Sequence, residues 1–243
     1  MNSAPLVAIH QPNFFPWLGF FDKFARCDVF ILLDDVQFPR MSKGVWTNRV
    51  AVRVQGRAKW ITAPVDRTMG VLPVNRVKTS SSSDWRGGML ATLRHSYARA
   101  PRFRDVWEMV EALAANPEDA LWSYNAAAIE AIVHALGLDA SKIRLASSYN
   151  VSGSGTARLV ALTRAAGGGG YLCGDGAGGY QEDTLFAEAG LELRRQHFNH
   201  PVYSQHGGGE FIPGLSVLDA LFNIGLDGVA VLLLNQREKS HER

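Results

Sequence analysis

Leu6-Val7-Ala8-Ile9-His10-Gln11-Pro12-Asn13-Phe14-Phe15-Pro16-Trp17-Leu18-Gly19-Phe20-Phe21-Asp22-Lys23 is answered a few residues later by Val29-Phe30-Ile31-Leu32-Leu33-Asp34-Asp35-Val36-Gln37. An apolar run ends in a polar loop bounded by prolines, a helix follows, and a second apolar run ends in two carboxylates. The pattern is strand, loop, helix, strand, loop. In an open parallel sheet both loops lie at the carboxyl ends of their strands, where such folds bind ligands. His10, Gln11, Asn13, Asp34, Asp35 and Gln37 would then share one crevice. Each also has an ordinary structural reading: prolines stiffen loops, and Asn or Asp after a strand makes turns and helix caps. Together, at two neighbouring strand ends, they favour a site.

Downstream, Trp46 to Val54 and Lys59 to Val65 carry β-branched and aromatic residues around Gln55-Gly56-Arg57, which predicts a hairpin turning at Gly56. Val71 to Lys78 suggests a third short strand. Ser80 to Asp84 forms a polar break with a natural helix cap. From Trp85 to Leu138 apolar residues recur at helical spacing, punctuated by Pro101 and Pro117, and Gly137 stops the last helix. Strand candidates then return at 143–148, 171–173 and 191–197. Helices are expected at 157–166 and 183–189, and from Ser216 to Asn223 with Gly225 as cap. Alternating strands and helices at both ends imply an α/β fold with a Rossmann-like, mostly parallel sheet. The hairpin, about 45–78, and the helical segment, about 82–138, read as insertions within a single α/β domain spanning 1–243.

Composition narrows the function classes. The 243 residues are 47% hydrophobic and carry a net charge of +2, so nothing calls for a dedicated nucleic-acid surface. The two cysteines, Cys27 and Cys173, fit neither a zinc spacing nor a disulfide framework. No basic stretch precedes the first apolar run, and no run is taken to approach the ~20 residues of a membrane span. The expectation is a cytoplasmic protein with reduced thiols and no membrane contact.

Two glycine-rich loops invite phosphate readings. Gly153-Ser154-Gly155-Thr156 precedes a helix but lacks Walker spacing and lysine, so a Ser or Thr cap is preferred over anion binding. Gly174-Asp175-Gly176-Ala177-Gly178-Gly179 is the better ligand candidate, since it follows a strand and its glycines would admit close backbone approach, although it fails the dinucleotide fingerprint. No cofactor is specified. His197, His200 and His206 match no named zinc motif, and no metal site is assigned. The basic residues between Arg94 and Arg104 suit a solvated face. Trp46 and Trp60 suit a core edge.

The segment from His10 to Gln37, continued by Trp46-Thr47-Asn48-Arg49, resembles the opening of the WbqC-like protein family. The resemblance extends through Tyr171-Leu172-Cys173-Gly174, Tyr180, His200-Pro201-Val202-Tyr203 and Glu210 to Asn223. Cys173 stands where the family pattern suggests serine, and the loop after it is richer in glycine. Members occur in bacterial surface-polysaccharide gene clusters, and a glycine transferase acting on an amino sugar has been suggested. The resemblance thus implies transfer of an aminoacyl or acyl group to the amine of a nucleotide-linked amino sugar. It adds Asn48, Arg49, Gly174, Tyr180 and Tyr203 to the substrate-binding set of Gln11, Asn13 and Gln37. It places His200 beside His10, Asp34 and Asp35 as a catalytic candidate, with either histidine as general base. The chain also resembles, more distantly, nucleotide-binding enzymes of the HIGH-motif kind. His10 matches, but Phe20 follows Gly19 where that motif carries its second histidine. A nucleotidyltransferase and a non-catalytic sugar-nucleotide binding protein are the alternatives.

Overall fold

The computed structural model describes residues 4–39, 46–66, 70–175 and 181–241. Five parallel strands form one sheet in the order β5-β2-β1-β6-β7. They are β1 (Leu6–His10), β2 (Val29–Leu32), β5 (Ile143–Leu145), β6 (Gly170–Cys173) and β7 (Glu192–Arg195). Helix α1 (Leu18–Arg26) links β1 to β2, and α5 (Gly155–Ala165) links β5 to β6. Strand order therefore runs one way from β1 through β2 and the other way through β6. A crevice opens at the carboxyl ends where the order reverses.

Both faces of the sheet are covered, as a parallel sheet requires. Alternate residues divide between them. Ala8, Phe30, Leu32 and Leu172 join Phe20, Phe21 and Phe24 of α1 in the larger core. Val7, Ile9, Ile31, Tyr171 and Cys173 face Leu162 of α5 and Phe186 of α6 (Thr184–Glu188). Each fully buried leucine or phenylalanine contributes about 1.5–3 kcal/mol of transfer free energy, so the pattern of β1 alone fixes which side meets α1.

The segment between β2 and β5 holds the predicted hairpin and helices. Strands β3 (Arg49–Val54) and β4 (Arg57–Thr62) pair antiparallel across Gln55-Gly56. Both turn residues have positive φ, 49° and 75°, the geometry that matches strand twist. The expected third strand at 71–78 is instead a short 3-10 turn, Val74–Arg76, flanked by isolated bridges. Pro73 has no N–H to donate, which limits the pairing there. Helices α2 (Trp85–Tyr97), α3 (Phe103–Ala114) and α4 (Leu121–Ala135) follow. Asp84 caps α2 by accepting from Gly87 N at 2.9 Å. Gly137, at φ 69°, ends α4.

Helix α7 (Val217–His241) begins with the short helix expected after Ser216 and extends beyond it. Gly225 does interrupt it, with φ 75° and ψ 179°, but helix resumes beyond. Val217–Gln236 is long and apolar enough by composition to cross a membrane, contrary to the expectation of no such run, and 56% of that window is buried inside the fold. The first half of α7 carries Asp219, fully buried, which accepts from Tyr97 Oη (2.8 Å), Tyr203 Oη (2.7 Å) and Gln205 Nε2 (2.9 Å). Arg53 of β3 donates its backbone N–H to Tyr97 Oη (2.9 Å) and its guanidinium to Gln205 Oε1 (2.6 Å). Burial pushes the Asp219 carboxyl up, and those donors oppose the shift. This network joins hairpin, α2, α7 and the loop after β7.

Candidate functional site

A crevice of about 810 Å³ lies at the carboxyl ends of β1, β2 and β6. Six of the twelve residues expected in the site line it: His10, Gln11, Asn13, Asp35, Gln37 and Gly174. The loop after β1 is held from below. Asn125 of α4 donates to Pro12 O (2.8 Å) and Thr47 O (2.7 Å), Phe14 N donates to Trp46 O (2.9 Å), and Thr47 Oγ1 donates to Gln11 Oε1 (3.0 Å). Phe15 adopts φ 41°, rare for a bulky side chain, with its ring fully buried. The hairpin and α4 thus hold the loop that presents His10.

His10 sits edge-on to Phe20 at 5.0 Å, and its Nδ1 lies 3.0 Å from Gln11 O. A carbonyl only accepts, so Nδ1 carries the proton and Nε2 the lone pair. Burial, helped by the ammonium of Lys23, lowers the His10 pKa to about 4. The imidazole is neutral at pH 7 and a weak base. Histidine near its ordinary pKa of about 6.5 was the expected proton acceptor; burial makes His10 a weaker base than that.

Lys23 was not anticipated. Its side chain is only 4% exposed, yet it lines the crevice. Nζ donates to Ile9 O at 3.0 Å and lies 5.7 Å from the centroid of the Tyr171 ring. Burial lowers its pKa to about 8, against smaller opposing effects from Cys173, Cys27 and Asp175. The sequence carried a signal: Lys23 falls three residues after Phe20, on the same face of a helix rich in phenylalanine.

The far wall comes from α5. Gly153, Ser154, Gly155 and Arg158 line it. Ser154 makes no capping hydrogen bond, and Thr156 Oγ1 is taken by Glu182 N at 3.0 Å. The serine or threonine cap expected here is absent, so the first-turn amides and the positive end of α5 belong to the crevice wall. Arg158 pairs with Asp35 at 2.6 Å, leaving Asp35 Oδ1 and Arg158 Nε buried without partners among the described residues. Lys23, Arg158 and the α5 terminus bring cationic groups and the positive end of a helix to one crevice.

The other expected residues lie elsewhere. Asp34 turns from the crevice to accept Ser147 N at 3.0 Å, holding the end of β5. Asn48 donates to Ala63 O within the hairpin, at 3.0 Å. Arg49 stacks on Trp60, 4.6 Å from the ring centroid, and Trp60 meets Trp46, which does line the crevice. Tyr203 belongs to the Asp219 network. His200 stacks on Trp17 among Phe198, Tyr203 and Phe211, with burial lowering its pKa. Both follow β7, an edge strand, so their loop runs towards α7 and neither lines the crevice. Tyr180 lies outside the described residues. Among those described, no group of three or more His, Cys, Asp or Glu is placed to hold a metal, and both cysteines are free and buried.

No solved structure matches the chain. It is similar to a protein of Mycobacterium tuberculosis (strain ATCC 25618 / H37Rv) described as "Uncharacterized protein Rv1507c", 30% identical over 226 residues, covering 91% of this chain and 94% of that relative. The sequence profile of the WbqC-like protein family matches residues 11–231, which include the loop after β1, the hairpin, the helices and both halves of the sheet. With that match over most of its length, the chain belongs to the WbqC-like protein family.

Proposed function

We propose that the crevice binds a nucleotide-linked amino sugar and that the protein transfers an aminoacyl or acyl group, glycine being the first candidate, to the sugar's amine in cytoplasmic surface-glycan biosynthesis. The observation that carries this reading is the pairing of two kinds of wall in one crevice. One wall, with Arg158 and the amino terminus of α5, suits phosphates. The floor, with neutral His10 and buried Lys23, suits proton transfer at an amine. Family membership supports the glycan context and leaves the reaction to experiment.

A second reading, nucleotidyl transfer of the HIGH-like kind, is favoured by one feature. His10 ends the central strand β1 beside the point where strand order reverses. Incubation with amino-sugar nucleotides, glycine and other amino acids, and ATP, followed by mass, separates these readings. An amide-linked sugar nucleotide is the expected product. Pyrophosphate release with a nucleotidylated product would favour the second reading. Saturable binding without turnover across all donors, unchanged in His10→Ala, would leave a sugar-nucleotide binding protein and refute transfer.

A further inference from the structure

We propose that Lys23 is the general base of this crevice: its unprotonated Nζ accepts the proton of the acceptor amine as that amine attacks an activated acyl carbonyl. The assignment rests on the transfer reading above and adds the residue that drives it. The argument begins with burial. A lysine shielded to this degree is normally paired with a carboxylate, yet the carboxylates nearby are committed to other partners. Asp22, its neighbour on α1, accepts from Arg26 at 3.1 Å and Gln196 at 2.7 Å. Asp175, after β6, accepts His197 N and Phe198 N at 2.9 and 2.8 Å. Asp35, across the crevice, is paired with Arg158. The remaining ionisable neighbours are His10 on β1, Cys27 after α1 and Cys173 on β6, with the Tyr171 ring beneath.

The hydrogen bond to Ile9 O therefore holds Nζ in place without neutralising it. An amine held this way loses its proton more readily than an exposed one, and its lone pair then has an acceptor role that the ammonium lacks. The position also suits the task. Lys23 and His10 both line the crevice. The lone pair on His10 Nε2 can receive one N–H of the substrate amine and orient it. In the step itself a C–N bond forms, the bond from the carbonyl carbon to its leaving group breaks, and the leaving group departs with the electron pair. The amine's proton goes to Nζ and then to solvent or the leaving group. The co-substrate is an acyl group activated as a thioester, ester or mixed anhydride.

The test uses the full chain with a panel of amino-sugar nucleotides and glycine supplied as glycyl thioester, glycyl ester or glycine with ATP. Wild-type rates should rise with pH to a plateau, with a midpoint near the Lys23 value of about 8. Lys23→Arg keeps the charge and cannot act as base, so its rate should fall about 10²–10⁴-fold, while its affinity for the sugar nucleotide changes little. Competition labelling of the wild-type protein with acetic anhydride needs no variant, and Lys23 should titrate near 8 while surface lysines titrate near ~10.4. Product from wild type with Lys23→Arg within about tenfold of it, or a Lys23 labelling midpoint beside the surface lysines, overturns the base assignment and leaves transfer intact. No product from wild type with any donor overturns the transfer reading and this assignment with it.

Discussion

Replacing Lys23 by methionine should make the protein more stable at neutral pH. The two side chains are close in length, so the change mainly removes a buried charge. The lysine pKa falls from 10.5 to about 8 in the folded chain. That difference, at about 1.36 kcal/mol per pK unit, is about 3 kcal/mol of folding free energy lost to keeping the ammonium buried. Losing the bond to Ile9 O takes back about 1 kcal/mol, so the variant should gain about 2 kcal/mol at pH 7. The pH dependence has a definite sign. Between pH 8 and 10.5 the unfolded chain binds the proton that the folded chain has released, so wild-type stability attributable to Lys23 rises across that window. Below pH 8 the penalty is constant. Urea unfolding of wild type and Lys23→Met at pH 7 and pH 10 tests this, and the stability difference should shrink at the higher pH. A methionine variant less stable than wild type at pH 7, or an advantage independent of pH, would refute the claim that burial controls this amine. A site residue that costs stability is a common signature of function.

Three further outcomes follow from the structure. Asp219→Ala strands Tyr97, Tyr203 and Gln205 around a buried vacancy and should destabilise by about 3–5 kcal/mol, seen as a lower urea midpoint, whereas Asp219→Asn retains an acceptor and should lose less. Gly19→Ala should lose about 1–3 kcal/mol in thermal unfolding, because its Cβ would lie 2.4 Å from the Trp17 indole that folds over it. The His10 pKa falls from 6.5 to about 4, so its contribution to stability is complete above pH 6.5 and is lost as pH drops towards 4; the stability difference between wild type and His10→Gln should shift against wild type over that interval in acid titrations.

The sequence made the strand–loop–helix–strand unit plain because its signals are local: apolar runs of strand length, prolines in the loop, and an aromatic helix. The hairpin was legible for the same reason, through Gln55-Gly56. The far wall of the crevice was harder to see. Arg158 and Ser154 lie more than a hundred residues away and reach the crevice only because β6 pairs with β1 on the side opposite β2. No pattern within a single segment encodes that order. His200 and Tyr203 were drawn into the site by the family resemblance, but β7 lies at the sheet edge and the loop after it does not line the crevice. Asp34 and Asp35 differ by one position and face different partners, Ser147 N and Arg158, because successive residues after a strand point to opposite sides. Gly225 does end the first helix, as read; the second half of α7, which starts beyond that kink, was missed.

The guanidinium of Arg26, at the end of α1, donates to Gln196 O at 2.9 Å and to Gln236 O at 3.2 Å. The helix that carries Lys23 is therefore braced by chain made some two hundred residues later. During synthesis, β1 and α1 emerge first, and the side of α1 that meets α7 stays uncovered until α7 arrives. Such long-range closure is slow and leaves sticky surface exposed in the meantime. Nascent chains stopped before residue 217 should accordingly be protease-sensitive throughout the first helix and be held by chaperones, and the ability to bind ligand should appear abruptly, only when the last helix is released from the ribosome.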